Sequence, residues 1–144
     1  MIDTKTDSQA VLLIESDPLA AMTISHALVR HEVHHPVICA SDSEDALLKL
    51  RHHLHERPCL ILVDTQCNGL GLEEFLGYLM ADSALAQVPV VALGVEPDQQ
   101  LESLLHRHGI ADVVAKASDY AELSDQIGRL VKYWTELRLA AVAA

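Results

Sequence analysis

Three apolar runs in this sequence stop at residues that carry charge. Ala10-Val-Leu-Leu-Ile14 runs into Glu15-Ser16-Asp17, Cys59-Leu-Ile-Leu-Val63 stops at Asp64, and the run from Ala111 to Ala115 stops at Lys116. A fourth run, Val88 to Leu93, ends at Gly94. Carboxylates from two separate runs are thus set to face one ammonium from a third. Carboxylate oxygens suit a hard divalent cation, and fixed charges beside them stabilise negative charge that moves during a reaction. The bland alternative is a set of solvated strand ends, and three such ends in one chain weigh against it.

The elements that must position these residues alternate along the chain. Short, continuous apolar runs are what parallel strands covered on both faces look like. After the first, Pro18 is placed to open a helix carrying Ala21, Ile24 and Leu28 to about Arg30. Val33 to Ala40 reads as the second strand. Pro36 lies inside it and cannot donate to a ladder, so this strand belongs at an edge. Ser41 with Glu44 three residues on has the spacing of a capping box, and Leu47, Leu50 and Leu54 follow at helical spacing. A loop with Asn68-Gly69 and Gly71 leads from Asp64 to a helix through Phe75 and Leu79. Leu101, Leu104 and Leu105 mark another helix, closed by Gly109, and a long one from about Asp119 carries Leu123, Ile127, Leu130, Val131 and Trp134. Five strand–helix alternations predict an α/β fold: a doubly wound five-stranded parallel sheet with about five helices on its two faces. In such sheets function gathers outside the carboxyl ends of the strands, where strand order reverses.

Composition narrows the partners. The chain has 144 residues, half of them apolar, and only one Trp, three Tyr and one Phe, so one domain with an aliphatic core is expected. A net charge of −11 repels nucleic-acid phosphates and anionic lipid, which argues against nucleic acid and membrane surfaces as partners. Cys39, Cys59 and Cys67 are an odd number without close pairing, and the opening residues are polar. A reducing, cytoplasmic setting follows as the expectation. Residues 1–9 are expected to be flexible, 10–138 to form the domain, and 139–144 to fray. The nine histidines, clustered at His31, His34, His35 and at His52, His53, His55, read as solvated rather than as a zinc site. The apolar face of the last helix serves either packing on the sheet or a homodimer.

From Ala10 to about Trp134 the chain resembles the CheY-like receiver domains of two-component signalling. It is similar in particular to the small stand-alone receivers that partner bacterial phytochrome kinases. The stretches that carry this are Leu12-Leu-Ile-Glu-Ser-Asp-Pro18, Ala81-Asp-Ser-Ala-Leu-Ala-Gln-Val-Pro-Val-Val91 and Tyr133-Trp134. The resemblance implies a flavodoxin-like strand order 2-1-3-4-5, whose edge position for the second strand agrees with Pro36. It implies that Asp64 accepts a phosphoryl group from a phosphohistidine and that Lys116 pairs with the phosphoryl oxygens. It places Glu15, Asp64 and the backbone carbonyl of Gln66 around Mg²⁺, with Asp17 as a further candidate.

Several positions depart from that pattern. Ser16 stands where the family has a metal-ligating Asp. Gly94 stands where it has a Thr or Ser whose hydroxyl bonds the phosphoryl group, and Val113 replaces that hydroxyl's aromatic partner. Ala117 follows Lys116 in place of Pro, and Cys67-Asn68 replaces Met-Pro in a loop one residue short. Losing a metal ligand or a hydrogen bond to a charged oxygen costs roughly 1.5–3 kcal/mol each. The sequence therefore supports a single-domain response regulator, partnered by a histidine kinase or phosphotransfer protein and a downstream protein target. A receiver that docks without phosphorylation is the rival. A small phosphatase using Asp64 as nucleophile is the remaining, weakest reading, since one short domain offers no second general acid.

Overall fold

In a computed structural model, which describes residues 10–52, 57–66, 71–94, 99, 103 and 106–143, five strands form one parallel sheet. They are β1 (Val11–Ile14), β2 (Val37–Ala40), β3 (Leu60–Asp64), β4 (Val90–Gly94) and β5 (Asp112–Ala115), in spatial order β2-β1-β3-β4-β5. The described helices are α1 (Pro18–Arg30), α2 (Ser43–His52), α3 (Leu72–Ala81) and α4 (Tyr120–Ala143), with a 3-10 turn at Leu85–Gln87. The helix expected around Leu101 to Leu105 lies largely outside the described residues, as do residues 1–9, the Asn68-Gly69 turn and Cys67.

Alternation along each strand divides the core in two. Leu12, Ile14, Ile61, Val63, Val90 and Ala92 face α2 and α3, meeting Ala46, Leu47, Phe75, Leu76 and Leu79. Their neighbours Val11, Leu13, Leu60, Leu62, Val91 and Leu93 face α1 and α4, meeting Ile24, Ala27, Leu28, Ile127 and Val131. Successive side chains on a strand point to opposite faces, so a sheet covered on both sides needs an unbroken apolar run. Each fully buried Leu or Ile contributes about 1.5–3 kcal/mol, and β1, β3 and β4 are buried almost throughout.

Local signals shift some boundaries. The second strand starts at Val37, not Val33. Pro36 contributes only its carbonyl, which accepts from Val11 N–H at 2.8 Å before the regular pairing begins. The cap of α2 is Asp42 rather than Ser41. Asp42 Oδ1 accepts from Asp45 N–H at 2.8 Å, and Asp45 Oδ2 accepts from Ser41 N–H at 2.9 Å. Half of the box exists one residue along, from Asp45 N–H to Asp42, while the return bond to Asp45 comes from Ser41 N–H rather than from the cap residue. Gly109 closes its segment at φ 92°, in the left-handed region that a side chain disfavours. Helix α4 continues through Ala143, into the segment expected above to fray. No helix among the described residues is long and apolar enough to cross a membrane.

Candidate functional site

The carboxyl ends of β1, β3 and β5 converge on one cluster. Glu15 follows β1 directly and is held by its own N–H, which donates to Ala40 O at 2.9 Å. Its Oε1 lies 2.8 Å from Lys116 Nζ, and its Oε2 accepts from Asp17 N–H at 3.3 Å. Asp64 closes β3; its Oδ2 is the second partner of the Lys116 ammonium, and its Oδ1 accepts from Gln66 N–H at 2.7 Å. The three side chains expose 4% (Glu15), 12% (Asp64) and 19% (Lys116) of their surface, so the pairs are shielded from bulk water.

Burial and pairing oppose each other here. Burial pushes the Asp64 carboxyl up, but hydrogen bonds from Lys116 and Gln66 and the charge of Lys116 outweigh it and hold the group below its ordinary 3.8. Burial pulls the Lys116 ammonium down, and its bonds to Asp64 and Glu15 with their charges leave it above its ordinary 10.5. Asp64 is therefore a carboxylate and Lys116 an ammonium throughout the neutral range.

Of the remaining sequence candidates, Asp17 and Ser16 sit outside this cluster, while Gln66 and Gly94 bond to its members through their backbones. Asp17 is exposed and spends its carboxylate as the cap of α1, with Oδ1 accepting from Leu19 N–H at 3.0 Å. Ser16 is exposed beside it. Gln66 supplies its N–H to Asp64. Gly94 is buried at the end of β4, and its carbonyl accepts from Lys116 N–H at 2.7 Å.

Gln126 on α4 carries a positioning role that the sequence did not suggest. Its side-chain oxygen accepts from Ala117 N–H at 3.0 Å and its amide donates to Ala115 O at 2.7 Å. One amide thus brackets Lys116 on both sides of the chain. Ala117 has an N–H that a proline would lack, and Gln126 satisfies it. A glutamine in a long amphipathic helix reads as a surface residue, and nothing in its spacing ties it to a lysine ten positions earlier.

A divalent cation fits this donor set in part. Mg²⁺ needs few protein oxygens, because it keeps several waters and commonly takes one or two carboxylates. Glu15 and Asp64 are such a pair, with the Gln66 carbonyl as the neighbouring backbone oxygen. The set is short of a third acid, since Ser16 cannot supply one and Asp17 is committed to α1. No group of three or more His, Cys, Asp or Glu side chains arranged to hold a metal occurs among the described residues.

No family model and no curated protein matches the chain. Solved structures do. The phosphorylated cyanobacterial phytochrome response regulator RcpA is 22% identical at a TM-score of 0.79, covering 88% of this chain and 94% of its own. The Mn²⁺-bound response regulator Rcp1 is 20% identical at 0.78, covering 89% and 95%. The receiver domain of the sensor histidine kinase PA1611 from Pseudomonas aeruginosa PAO1, with magnesium coordinated in its active-site cleft, is 23% identical at 0.68, covering 90% and 98%. Together with the strand order, these neighbours show that the chain has the fold of CheY-like response-regulator receiver domains.

Proposed function

We propose that this chain is a single-domain response regulator, with residues 10–138 as its receiver unit, that accepts a phosphoryl group on Asp64 from a histidine kinase or phosphotransfer protein. The observation that carries the reading is the Lys116 ammonium shared by Asp64 and Glu15 at the carboxyl edge. An Asp64 oxygen attacks the phosphorus of a phosphohistidine. The P–N bond breaks, its electron pair returns to the imidazole nitrogen, and an aspartyl phosphate results. Lys116 then faces the phosphoryl oxygens, as stabilisation of a transferring phosphoryl group requires. Gln66 N–H orients the carboxylate, and Gln126 holds the turn that carries Lys116. Glu15, Asp64 and the Gln66 carbonyl would hold Mg²⁺, which when bound neutralises charge on the phosphoryl oxygens.

Output on this reading is protein contact. The exposed Tyr133, stacked on Trp134 at 5.4 Å between ring centroids, is the α4 surface against which a second copy would pack. Beryllofluoride or acetyl phosphate with Mg²⁺ tests the proposal. The wild type should bind the first and gain the mass of one phosphoryl group from the second, and Asp64→Asn should do neither. An unmodified wild type would remove the reading.

One observation favours a second reading, a docking module that works unphosphorylated. Both Asp64 oxygens are already engaged, and the neighbouring acid Asp17 is committed to α1. That reading requires Asp64→Asn to bind the partner as tightly as the wild type does.

A further inference from the structure

Gly94 is a glycine for lack of room rather than for backbone freedom. It lies within β4, and the only glycine with positive φ among the described residues is Gly109. A Cβ built on Gly94 would lie 2.9 Å from Thr65 Oγ1 and 3.6 Å from Thr65 Cγ2. The Thr65 hydroxyl therefore occupies the place where a side chain at position 94 would begin.

That place adjoins the acceptor. Thr65 directly follows Asp64, its N–H donates to Leu93 O at 2.9 Å, and it is only partly buried. The bond from Gln66 N–H to Asp64 Oδ1 turns the carboxylate back over the Thr65 peptide. On the far side, Lys116 N–H donates to Gly94 O, and the Lys116 side chain returns across the end of β4 to Asp64. The register runs Asp64↔Leu93 and Gly94↔Ala115, so the end of β4 lies between the acceptor's strand and the lysine's strand. A group attached to Asp64 and facing Lys116 extends towards the end of β4, where Gly94 and Thr65 meet.

We propose that Thr65 donates its hydroxyl to the phosphoryl group on Asp64, from the space that Gly94 leaves open. The proposal rests on Asp64 being the acceptor. A phosphoryl group has more oxygens than one ammonium can satisfy, and Thr65 supplies a neutral donor on the side away from Glu15. The same packing sets positions 65 and 94 against each other, since a Cβ at position 94 obliges the Thr65 hydroxyl to shift.

The test is a beryllofluoride titration with Mg²⁺, followed by fluorine NMR, on the full chain. Thr65→Val keeps the shape and removes the donor. A hydrogen bond to a charged oxygen is worth about ten-fold or more in affinity, so Thr65→Val should weaken binding by at least that factor. Thr65→Ser should bind within about three-fold of the wild type. Thr65→Ala should be as weak as Thr65→Val, and Thr65→Ala with Gly94→Ser should recover the lost affinity by moving the hydroxyl to the facing strand. Equal binding by wild type and Thr65→Val, with Asp64→Asn inactive, overturns the role of Thr65 and leaves the acceptor in place. Loss in Thr65→Ser as large as in Thr65→Val means that only packing matters, and also overturns it. A wild type that does not bind overturns the acceptor reading itself.

Discussion

Lys116→Met keeps the length of the side chain and removes the charge that two carboxylates share. The ammonium contacts Glu15 and Asp64 at once, and all three side chains are at least four-fifths shielded. Removing one partner of a buried ion pair costs about 3–5 kcal/mol, because an uncompensated charge stays behind. The cluster lies at the sheet edge, where Asp64 keeps some contact with water, so the low end, about 3 kcal/mol, is expected at pH 7. For a domain of this size that lowers the melting temperature by about 10 °C. The pH dependence identifies the cause. In the wild type the Asp64 pKa is depressed, so its contribution is present above 3.8 and is lost as pH falls through the lower folded value. The Lys116 pKa is raised, so its contribution is present below 10.5 and is lost as pH rises through the folded value. In the variant two carboxylates repel each other in a shielded place, one of them titrates above its ordinary range, and the folded state gains stability on acidification. The cost of the substitution should therefore shrink between pH 7 and about pH 5. Urea unfolding of both proteins at the two pH values measures it. A cost below about 1 kcal/mol, or one that does not change with pH, would refute the reasoning and mark the cluster as an ordinary surface pair.

Other substitutions probe the frame around the cluster. Gln126→Leu removes both bonds that bracket Lys116 and should cost about 1–3 kcal/mol in urea unfolding, with a measurable fall in the rate of labelling by acetyl phosphate. Ser124 Oγ is buried without a hydrogen-bond partner among the described residues, so Ser124→Ala should raise stability by about 1 kcal/mol. Gly77 lies on the exposed face of α3 with open space where a methyl would go, and Gly77→Ala should stabilise by about 0.5–1 kcal/mol in the same assay. Gly128→Ala should do the opposite despite its helical setting, by about 1–3 kcal/mol. A Cβ there would fall 2.2 Å from Cγ of His31, whose Nε2 pairs with Asp125 at 3.2 Å, and His31→Ala should relieve the clash.

What could be read from the sequence was whatever the two-sided sheet imposes on consecutive residues. β1, β3 and β4 must be unbroken aliphatic runs, so the ends of β1 and β3, and with them Glu15 and Asp64, were visible as breaks in hydropathy. Lys116 showed in the same way at the end of β5. The edge position of the second strand was visible through Pro36, though its starting point was not, because the proline carbonyl still pairs with Val11. Contacts that cross between elements left no local trace. Ser41–Glu44 and Asp42–Asp45 have the same spacing, and only the folded chain distinguishes which pair closes on α2. Asp17 stands two residues from Glu15 in an acidic run, yet the start of α1 takes its carboxylate. Gly94 looked like the loss of a hydroxyl. The turn that follows β3 sets the Thr65 hydroxyl 2.9 Å from where a Cβ on Gly94 would lie, a neighbour that the sequence alone does not show.

These placements combine into a constraint on charge. Glu15 and Asp64 bring two negative charges to the cluster and Lys116 one positive, so the resting site has a net charge of −1. Converting the Asp64 carboxylate into an acyl phosphate of about −2 makes the site more negative by about one unit, in a region already shielded from solvent. Lys116 cannot answer that alone while it also holds Glu15. The balance has to come from a bound cation, from neutral donors such as Thr65, or from Glu15 giving up its share of the ammonium. On the proposed reading the contributions trade against one another. Thr65→Val should make labelling by acetyl phosphate depend more steeply on Mg²⁺ concentration, and Glu15→Gln, which frees the lysine but takes one carboxylate from the cation, should move that dependence to higher Mg²⁺ concentration. If both variants kept the Mg²⁺ dependence of the wild type, the cation and these side chains would not be acting on the same charge.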